Sequence, residues 1–163
     1  MKRSKLTELW CRLCFGFVRV VAVLSVMVFS IPHVAAFEEV NTGYFDKTAL
    51  AGYDAVSYFR QTRAIRGEQS FSVEWKGATW LFANEENRKR FVSSPESFVP
   101  QYGGYCSNQM SLGNLSDIDP EVWRIIDGRL YLFGHDEGRV RWKSDTQERI
   151  TDADGHWRDF LER

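Results

Sequence analysis

One loop of the chain brings together residue types that could carry chemistry. It consists of Tyr102, Gly103, Gly104, Tyr105 and Cys106, and its adjacent glycines predict a tight turn that another group can approach closely. A thiol at such a turn is a candidate nucleophile or metal ligand. A free cysteine is also often a small buried hydrophobe. The residue types alone leave both interpretations open.

Two further residues extend this loop into a candidate metal site. Met110 follows Cys106 by four residues and shares its face if residues 107–112 are helical, and His135 ends a predicted hairpin. A thiolate, a thioether and an imidazole together suit copper(I), which makes copper the candidate cofactor. The alternative is that Met110 belongs to the core and His135 caps a helix at the surface.

A Gly-Tyr-Asp turn earlier in the chain offers a second set of candidate ligand-binding residues. Asp54 is predicted to cap a short helix, and Tyr53 precedes it. Together with Tyr102 and Tyr105 these side chains could line one small-ligand pocket. The same residues equally describe an aromatic core with hydrogen-bonded tyrosines, which is the role we predict for Tyr58.

The sequence offers little support for an enzyme. It contains no Gly-x-Ser-x-Gly nucleophile elbow, and after residue 36 its histidines are His135 and His156. Cys106 with His135, oriented by Asp136 or Asp54, is the one nucleophile pair that can be assembled, and no spacing favours it. We therefore favour a binding module over a hydrolase, and we place His156 at the surface.

Residues 1–36 have the order of a secretory signal peptide. Five basic residues come first, an apolar run over 20–31 follows, and Val34-Ala35-Ala36 supplies the small residues of a cleavage site. The run is shorter than a bilayer requires, although residues 15–18 lengthen it enough for an uncleaved membrane anchor to be the alternative. The prediction is a periplasmic or secreted protein that begins at Phe37.

This prediction changes how the cysteines and charges are interpreted. The pair Cys11 and Cys14 forms a Cys-x-x-Cys motif inside the predicted signal, which leaves Cys106 as the sole thiol of the mature chain. Five of the 21 Lys and Arg and one of the 22 Asp and Glu lie in residues 1–36, so 16 basic and 21 acidic residues remain. A mildly acidic chain without a basic stripe argues against nucleic acid as a partner.

The periodicity of the remaining chain predicts an α+β fold with two β-hairpins and several short helices. Lys76-Gly77 and Asp127-Gly128 each separate two β-prone runs, with residues 117–120 as a loop before the second hairpin. Helices are predicted over 85–92 with Asn84 as the cap, over 107–112, from an Asp136 cap to 143 with Val140 and Trp142 facing inward, and over 150–161. No internal repeat is expected. Residues 37–51 are a leader and 52–163 the domain.

Several of these stretches, in this order, resemble the YHS-domain family, specifically its exported single-domain branch. They are Gly-Tyr-Asp-Ala-Val-Ser-Tyr-Phe from Gly52, Trp-Lys-Gly-Ala-Thr-Trp-Leu-Phe from Trp75, Tyr-Gly-Gly-Tyr-Cys from Tyr102, and the segment 119–132. The resemblance covers most of the chain after Gly52. It implies a YHS-like fold for residues 52–163.

The resemblance does not extend to a metal site. Metal-binding YHS and TRASH-type domains resemble a pattern of Asp-Pro-Val-Cys near the start and Phe-Cys-x-x-x-Cys entering a helix. Ser57, Ala83 and Asn87 stand at the three cysteine positions here. These residues cannot replace three thiolates.

The predicted function is therefore an exported YHS-like binding module. Its ligand would be a soft metal ion such as copper or a small organic molecule held against the Tyr-Gly-Gly-Tyr-Cys loop. The alternatives are a thiol-dependent enzyme or redox partner that uses Cys106, and a structural or interaction domain without a ligand.

Overall fold

The structure, a computed structural model, describes residues 37–43 and 46–163. The predicted signal peptide and its Cys-x-x-Cys motif lie outside these residues. None of the helices within the described ranges combines the length and apolar character that crossing a bilayer requires.

Short helices alternate with two antiparallel hairpins, which confirms the predicted α+β fold. The helices and strands are α1 (Ala55–Arg60), β1 (Glu68–Trp75), β2 (Ala78–Phe82), α2 (Glu85–Ser93), α3 (Ser107–Met110), β3 (Asp119–Ile126), β4 (Arg129–Phe133), α4 (Asp136–Ser144) and α5 (Thr146–Leu161). Single 3-10 turns lie at Leu50–Gly52, Pro95–Ser97 and Gln101–Gly104.

Both hairpins close through the two-residue turns that the sequence predicts. Lys76 and Gly77 have φ of 48° and 73°, and Asp127 and Gly128 have φ of 49° and 74°. Two consecutive left-handed residues form a type I′ turn, whose twist matches that of the strands on either side. The second hairpin is longer than predicted, because β3 begins at Asp119 within the expected loop.

The two hairpins belong to two copies of one structural unit. From Glu68 to Ser93 and from Asp119 to Ser144, each copy has an eight-residue strand, a two-residue turn, a five-residue strand and a capped nine-residue helix. The register of each first strand is interrupted at the same place, between Glu68 and Ser72 in one copy and between Asp119 and Trp123 in the other. The expectation that the chain lacks a repeat was wrong.

The similarity continues toward the N-terminus of each unit. Leu50, Ala51 and Gly52 have φ of 53°, 49° and 81°, and the three residues from Tyr102 to Gly104 have φ of 56°, 59° and 85°. A tyrosine and then a helix-capping residue follow each turn. Parallel bridges tie each unit's start to its own hairpin, Thr48 to Thr79 and Pro100 to Leu130. We call residues 48–93 the first repeat and residues 100–144 the second repeat.

Each repeat builds its own aromatic core from equivalent positions. In the first repeat the Phe91 ring lies 5.1 Å from Trp80 and 5.0 Å from Phe82. In the second repeat the Trp142 ring takes the place of Phe91, and it lies 5.9 Å from Tyr131 and 5.6 Å from Phe133. All six residues are buried. Because large rings bury more apolar area than aliphatic side chains, three of them suffice to seat each helix on its hairpin.

Helix α4 differs from its prediction in two details. Its cap is His135, whose Nδ1 accepts the N–H of Gly138 at 3.1 Å, rather than Asp136. Of the two residues predicted to face inward, Trp142 is fully buried and Val140 is 59 % exposed. The helix begins at Asp136, one residue earlier than a cap at Asp136 implies.

Tyr58 gives the fold a defined response to alkaline pH. Its hydroxyl donates to the carbonyl oxygen of Pro120 at 2.9 Å, and burial, followed by the nearby Tyr53 and Asp54, raises the pKa of Tyr58 above its usual value. Stability from this group is fully present below the unfolded pKa of about 10. Above it the unfolded chain loses a proton that the folded chain keeps, so folding weakens by up to about 1.4 kcal/mol per pH unit.

We therefore expect Tyr58→Phe to lose less stability than the unmodified protein between pH 10 and 11. The measurement is the free energy of unfolding in urea at each pH. Parallel pH profiles for the two proteins would contradict the assignment.

Candidate functional site

Asp54 acts as a buried clamp in the first repeat, and it caps α1 as the sequence predicts. Its Oδ1 accepts the N–H groups of Val56 at 2.8 Å and Ser57 at 3.3 Å. Its Oδ2 accepts the N–H of Ala83 at 2.9 Å and the side-chain amide of Asn87 at 2.6 Å. Four protein donors satisfy the carboxylate, so Asp54 joins α1 to the junction of β2 and α2.

The three positions that the YHS resemblance compares with cysteines meet at this clamp. Ser57 and Ala83 donate through their peptide N–H groups, and Asn87 donates through its side chain, to the same carboxylate. The Ser57 hydroxyl contacts the carbonyl oxygen of Asp54 at 2.7 Å. A polar network centred on a carboxylate therefore occupies the place where the resemblance would put thiolates.

Tyr53 lies apart from this network. Its ring is half-buried with the Arg66 guanidinium 4.8 Å from the ring centre, and its hydroxyl lies 3.4 Å from a Glu121 carboxylate oxygen. Tyr53 and Tyr58 pack against the core of the first repeat, whereas Tyr102 and Tyr105 pack against the core of the second. The three tyrosines predicted to bind a ligand, Tyr53, Tyr102 and Tyr105, are thus divided between two cores, and Tyr58 has the core position predicted for it.

The group that approaches the glycines of the predicted ligand loop is the backbone of residues 37–43, which we call the N-terminal segment because they begin the domain. The Asn41 N–H donates to the carbonyl oxygen of Gly103 at 2.8 Å, and its side-chain amide donates to that of Gly104 at 3.2 Å. The Tyr105 hydroxyl donates to the carbonyl oxygen of Glu38 at 3.1 Å. A Cβ at Gly103 would collide with the carbonyl oxygen of Glu39. The tight turn therefore serves close packing of backbone on backbone.

Tyr102 connects this loop to the C-terminal helix. Its ring is 3 % exposed, and its hydroxyl donates to Asp154 Oδ1 of α5 at 2.9 Å. Burial, followed by the negative charge of Asp154, raises the pKa of Tyr102 above its usual range. The phenol therefore stays protonated and acts as a hydrogen-bond donor.

Cys106 occupies in the second repeat the place that Asp54 occupies in the first. Its thiol is 3 % exposed, and Sγ accepts the N–H of Gly134 at 3.3 Å, as Asp54 accepts the N–H of Ala83. The Cys106 N–H donates to the Ser116 carbonyl, and the Asp54 N–H donates to the matching Ile65 carbonyl. A thiol thus stands at a position built to receive a peptide donor.

The surroundings of Cys106 are less complete than those of Asp54. Gly138 stands where the first repeat has Asn87, so no side-chain amide reaches inward from that position. The hydroxyl of Ser107 and the side-chain oxygen of Asn108 are buried without a hydrogen-bond partner among the described residues. Native proteins leave few such atoms, so this end of α3 differs from an ordinary apolar core.

Met110 and His135 occupy different environments. Met110 is fully buried within the core of the second repeat. The His135 side chain is 52 % exposed and uses its Nδ1 to cap α4. In residues 37–43 and 46–163, no group of three or more His, Cys, Asp and Glu is arranged to hold a metal ion. Copper binding by Cys106, Met110 and His135 therefore remains a prediction.

His156, expected at the surface, is partly buried. Its Nδ1 lies 3.1 Å from the carbonyl oxygen of Met110, so the ring links α5 to α3. No local sequence pattern indicates this contact, because the whole second hairpin separates α3 from α5 in the chain.

A groove beside the Tyr102-Gly103 turn contains residues that the sequence reasoning missed. It has a volume of about 190 Å³. Its walls include two partly exposed indoles, Trp75 and Trp157, together with Tyr102 and Gly103. The turn was predicted, but the two tryptophans come from distant elements and meet only in the folded chain. One sequence signal could have identified them. Trp75 stands next to a hairpin turn and Trp157 stands on a largely polar helix, and both are places where an indole is expected to be partly exposed.

The groove has an excess of negative charge. Glu39, Glu96 and Asp154 line it against one cation, Lys76. The Lys76 ammonium lies 2.6 Å from a Glu39 oxygen, 3.9 Å from a Glu96 oxygen and 4.9 Å from the centre of the Trp75 ring. Rings and carboxylates both attract cations, so this lining favours a positively charged group.

A larger cavity, of about 590 Å³, lies on the other side of the N-terminal segment. Glu38, Lys47 and Asp117 contribute its charged walls. It contains none of the ligand-binding residues predicted from the sequence, and none of the described residues that line it is aromatic. Its size alone does not point to a ligand.

The close contact at Gly103 leads to a stability prediction. Gly103→Ala would suffer both the left-handed backbone and the collision with Glu39, whereas Gly77→Ala has a left-handed backbone and open space around it. We expect Gly77→Ala to cost about 1 kcal/mol and Gly103→Ala about 1–3 kcal/mol more. The free energy of unfolding in urea measures both. Equal losses would show that the N-terminal segment does not pack on the loop.

Comparison of the chain with known proteins adds no relative to the geometry described above. No family model, no curated protein and no solved structure matches the chain. The YHS resemblance and the groove beside Tyr102 are therefore taken up as proposals.

Proposed function

We propose that the protein is an exported, YHS-like binding module for a small organic ligand that carries a cationic group. The observation that carries this proposal is the groove along the Tyr102-Gly103 turn. It joins a predicted ligand-binding loop to two tryptophans and three carboxylates. Aromatic walls with a few placed polar groups are typical of small-molecule sites.

The YHS-like part of the proposal rests on the order of the sequence motifs and on one structural relation. Ser57 lies in α1, far in the chain from Ala83 and Asn87, yet all three contact the Asp54 carboxylate. Positions that jointly hold a ligand in one protein are expected to remain neighbours in a relative. Export rests on the predicted signal at residues 1–36.

The groove supports an organic ligand better than a metal ion. Its tryptophan faces offer area for an apolar body, and its carboxylates face a charged end of the ligand. Lys76 already pairs with two of the three carboxylates, Glu39 and Glu96. The third carboxylate, Asp154 of α5, is the one that Lys76 does not pair with. Asp154 also orients Tyr102, so it connects the groove to the loop.

Choline is a suitable probe, because it is a small quaternary ammonium. We expect choline to change the tryptophan fluorescence of the protein in a saturable manner, and Asp154→Asn to weaken this binding roughly threefold to tenfold. An asparagine still accepts the Tyr102 hydrogen bond, so the change isolates the charge. Asp152→Asn, an exposed position on the same helix, is the matched control.

Three results would contradict the proposal. One is the absence of a saturable response to choline in the unmodified protein. Another is equal affinity of the Asp154 and Asp152 variants. The third is equal or stronger binding of 3,3-dimethylbutan-1-ol, the uncharged carbon analogue of choline.

A second candidate function is thiol chemistry at Cys106. The equivalence of Cys106 and Asp54 favours it, because the Gly134 N–H faces the sulfur as the Ala83 N–H faces a carboxylate. Burial opposes this function, since 3 % exposure leaves little access for a substrate.

Alkylation by iodoacetamide separates the two candidates. The burial predicts that Cys106 in the native protein reacts roughly a hundredfold or more slowly than in urea, because reaction requires local opening. Mass spectrometry of timed samples gives both rates. A native rate close to that of the unfolded chain would favour thiol chemistry over the binding module.

A further inference from the structure

We propose that the second repeat binds an oxyanion of the phosphate or sulfate type in a cavity between β3 and α4. The cavity has a volume of about 280 Å³, and Arg124, Arg139, Val140 and Lys143 line it. It involves none of the groove residues, so it is independent of the function proposed above.

Arg124 occupies a position that the strand pattern reserves for an apolar side chain. Side chains alternate along β3, so Arg124 shares a face with Val122 and Ile126, which both pack against the core of the second repeat. Its Nη1 atom is buried and has no hydrogen-bond partner in the described part of the chain. A guanidinium nitrogen withdrawn from water without a partner is unfavourable, and a bound anion would remove that cost.

The other two cations leave the cavity positively charged. Arg139 pairs with the Asp136 carboxylate of the same helix, and its side chain is still 41 % exposed. Within residues 37–43 and 46–163, neither Arg124 nor Lys143 has a carboxylate at ion-pair distance. Three cations against one carboxylate give an excess of two positive charges. Guanidinium groups suit oxyanions because they donate two parallel hydrogen bonds.

The first repeat shows what the fold alone requires at these positions. Val73 stands where the second repeat has Arg124, and it packs against the core of the first repeat. Val92 stands where the second repeat has Lys143. The pair Arg139 and Asp136 recurs as Arg88 and Glu85. The unit therefore folds in the first repeat without a cation at either of these two positions.

The oxyanion can be a free ion or the head group of an anionic lipid. Val140 is 59 % exposed at the cavity and would face the rest of a larger ligand. The shared chemistry is the phosphate group, so the test includes both inorganic phosphate and vesicles that contain phosphatidylglycerol.

The first measurement is calorimetric titration of the purified protein with inorganic phosphate, at an ionic strength held constant with sodium chloride. We expect Arg124→Val and Lys143→Gln each to weaken phosphate binding by about tenfold, which corresponds to the loss of one charge-assisted hydrogen bond. Arg141→Gln removes the same charge from an exposed position of α4 outside the cavity and should leave the affinity unchanged. Binding should weaken as salt is added.

The melting temperature of Arg124→Val distinguishes an arginine that binds an anion from one that stabilises the fold. Its melting temperature in phosphate-free buffer should equal or exceed that of the unmodified protein, because an unpartnered guanidinium nitrogen is removed. If this variant fails to fold, Lys143→Gln decides, since Lys143 is exposed.

Absence of binding to both phosphate and the vesicles would overturn the proposal, and so would equal losses in Lys143→Gln and Arg141→Gln. Vesicle binding that Lys143→Gln weakens and Arg141→Gln does not, without binding of inorganic phosphate, would support the proposal and identify a lipid head group as the source. Binding of inorganic phosphate with the same variant pattern would support a free ion.

Discussion

Each repeat depends on one hydrogen bond that runs from the junction of its second strand and helix back to its first capping residue. Ala83 donates to Asp54 in the first repeat, and Gly134 donates to Cys106 in the second. The bond joins segments that are about 30 residues apart, so it fixes how a left-handed turn, a short helix and a hairpin close on one another. Strand length, turn type and helix cap repeat around it.

The two repeats use this frame differently. The first satisfies its acceptor completely, with four donors on the Asp54 carboxylate. The second replaces the carboxylate with a thiol, leaves polar atoms of Ser107 and Asn108 without partners, and places Arg124 where the first has a valine. A complete network favours rigidity, whereas buried groups without partners favour the binding of something else. Both proposed binding sites therefore involve the second repeat, one at Arg124 and the other beside the N-terminal segment.

Local patterns predicted the parts of the fold that local physics determines. Lys76-Gly77 and Asp127-Gly128 specify their turns, because few residues besides glycine tolerate the required backbone. Asn84 and Asp54 specify helix starts, since their short side chains reach the first peptide donors. The repeat also has a sequence signal that the expectation of no repeat overlooked, since Leu81-Phe82 of the first repeat recurs as Leu132-Phe133 of the second. Other equivalent positions share only backbone angles and ring shape. Trp80 corresponds to Tyr131 and Phe91 to Trp142, pairs that share shape more than identity.

The candidate site was harder to predict for a related reason. The Tyr-Gly-Gly-Tyr-Cys loop is visible as a tight turn, but the sequence does not say what approaches it. The approaching group is the backbone at Glu39, and the groove beside it needs Trp75 and Trp157 from opposite ends of the domain. Such neighbours follow from long-range packing, which no short window of sequence contains.

The N-terminal segment also imposes an order on assembly. Phe37 lies 5.4 Å from Trp157 and 5.7 Å from Phe160, so the start of the domain rests on its last helix. A ribosome delivers residue 37 long before residue 160, and contacts this distant in sequence form late because closing the intervening loop costs entropy. The Tyr102 turn is therefore fully covered only when α5 has formed, because Trp157 packs against Tyr102 and Gly103. A chain truncated before α5 would lack the two rings, Trp157 and Phe160, against which Phe37 packs.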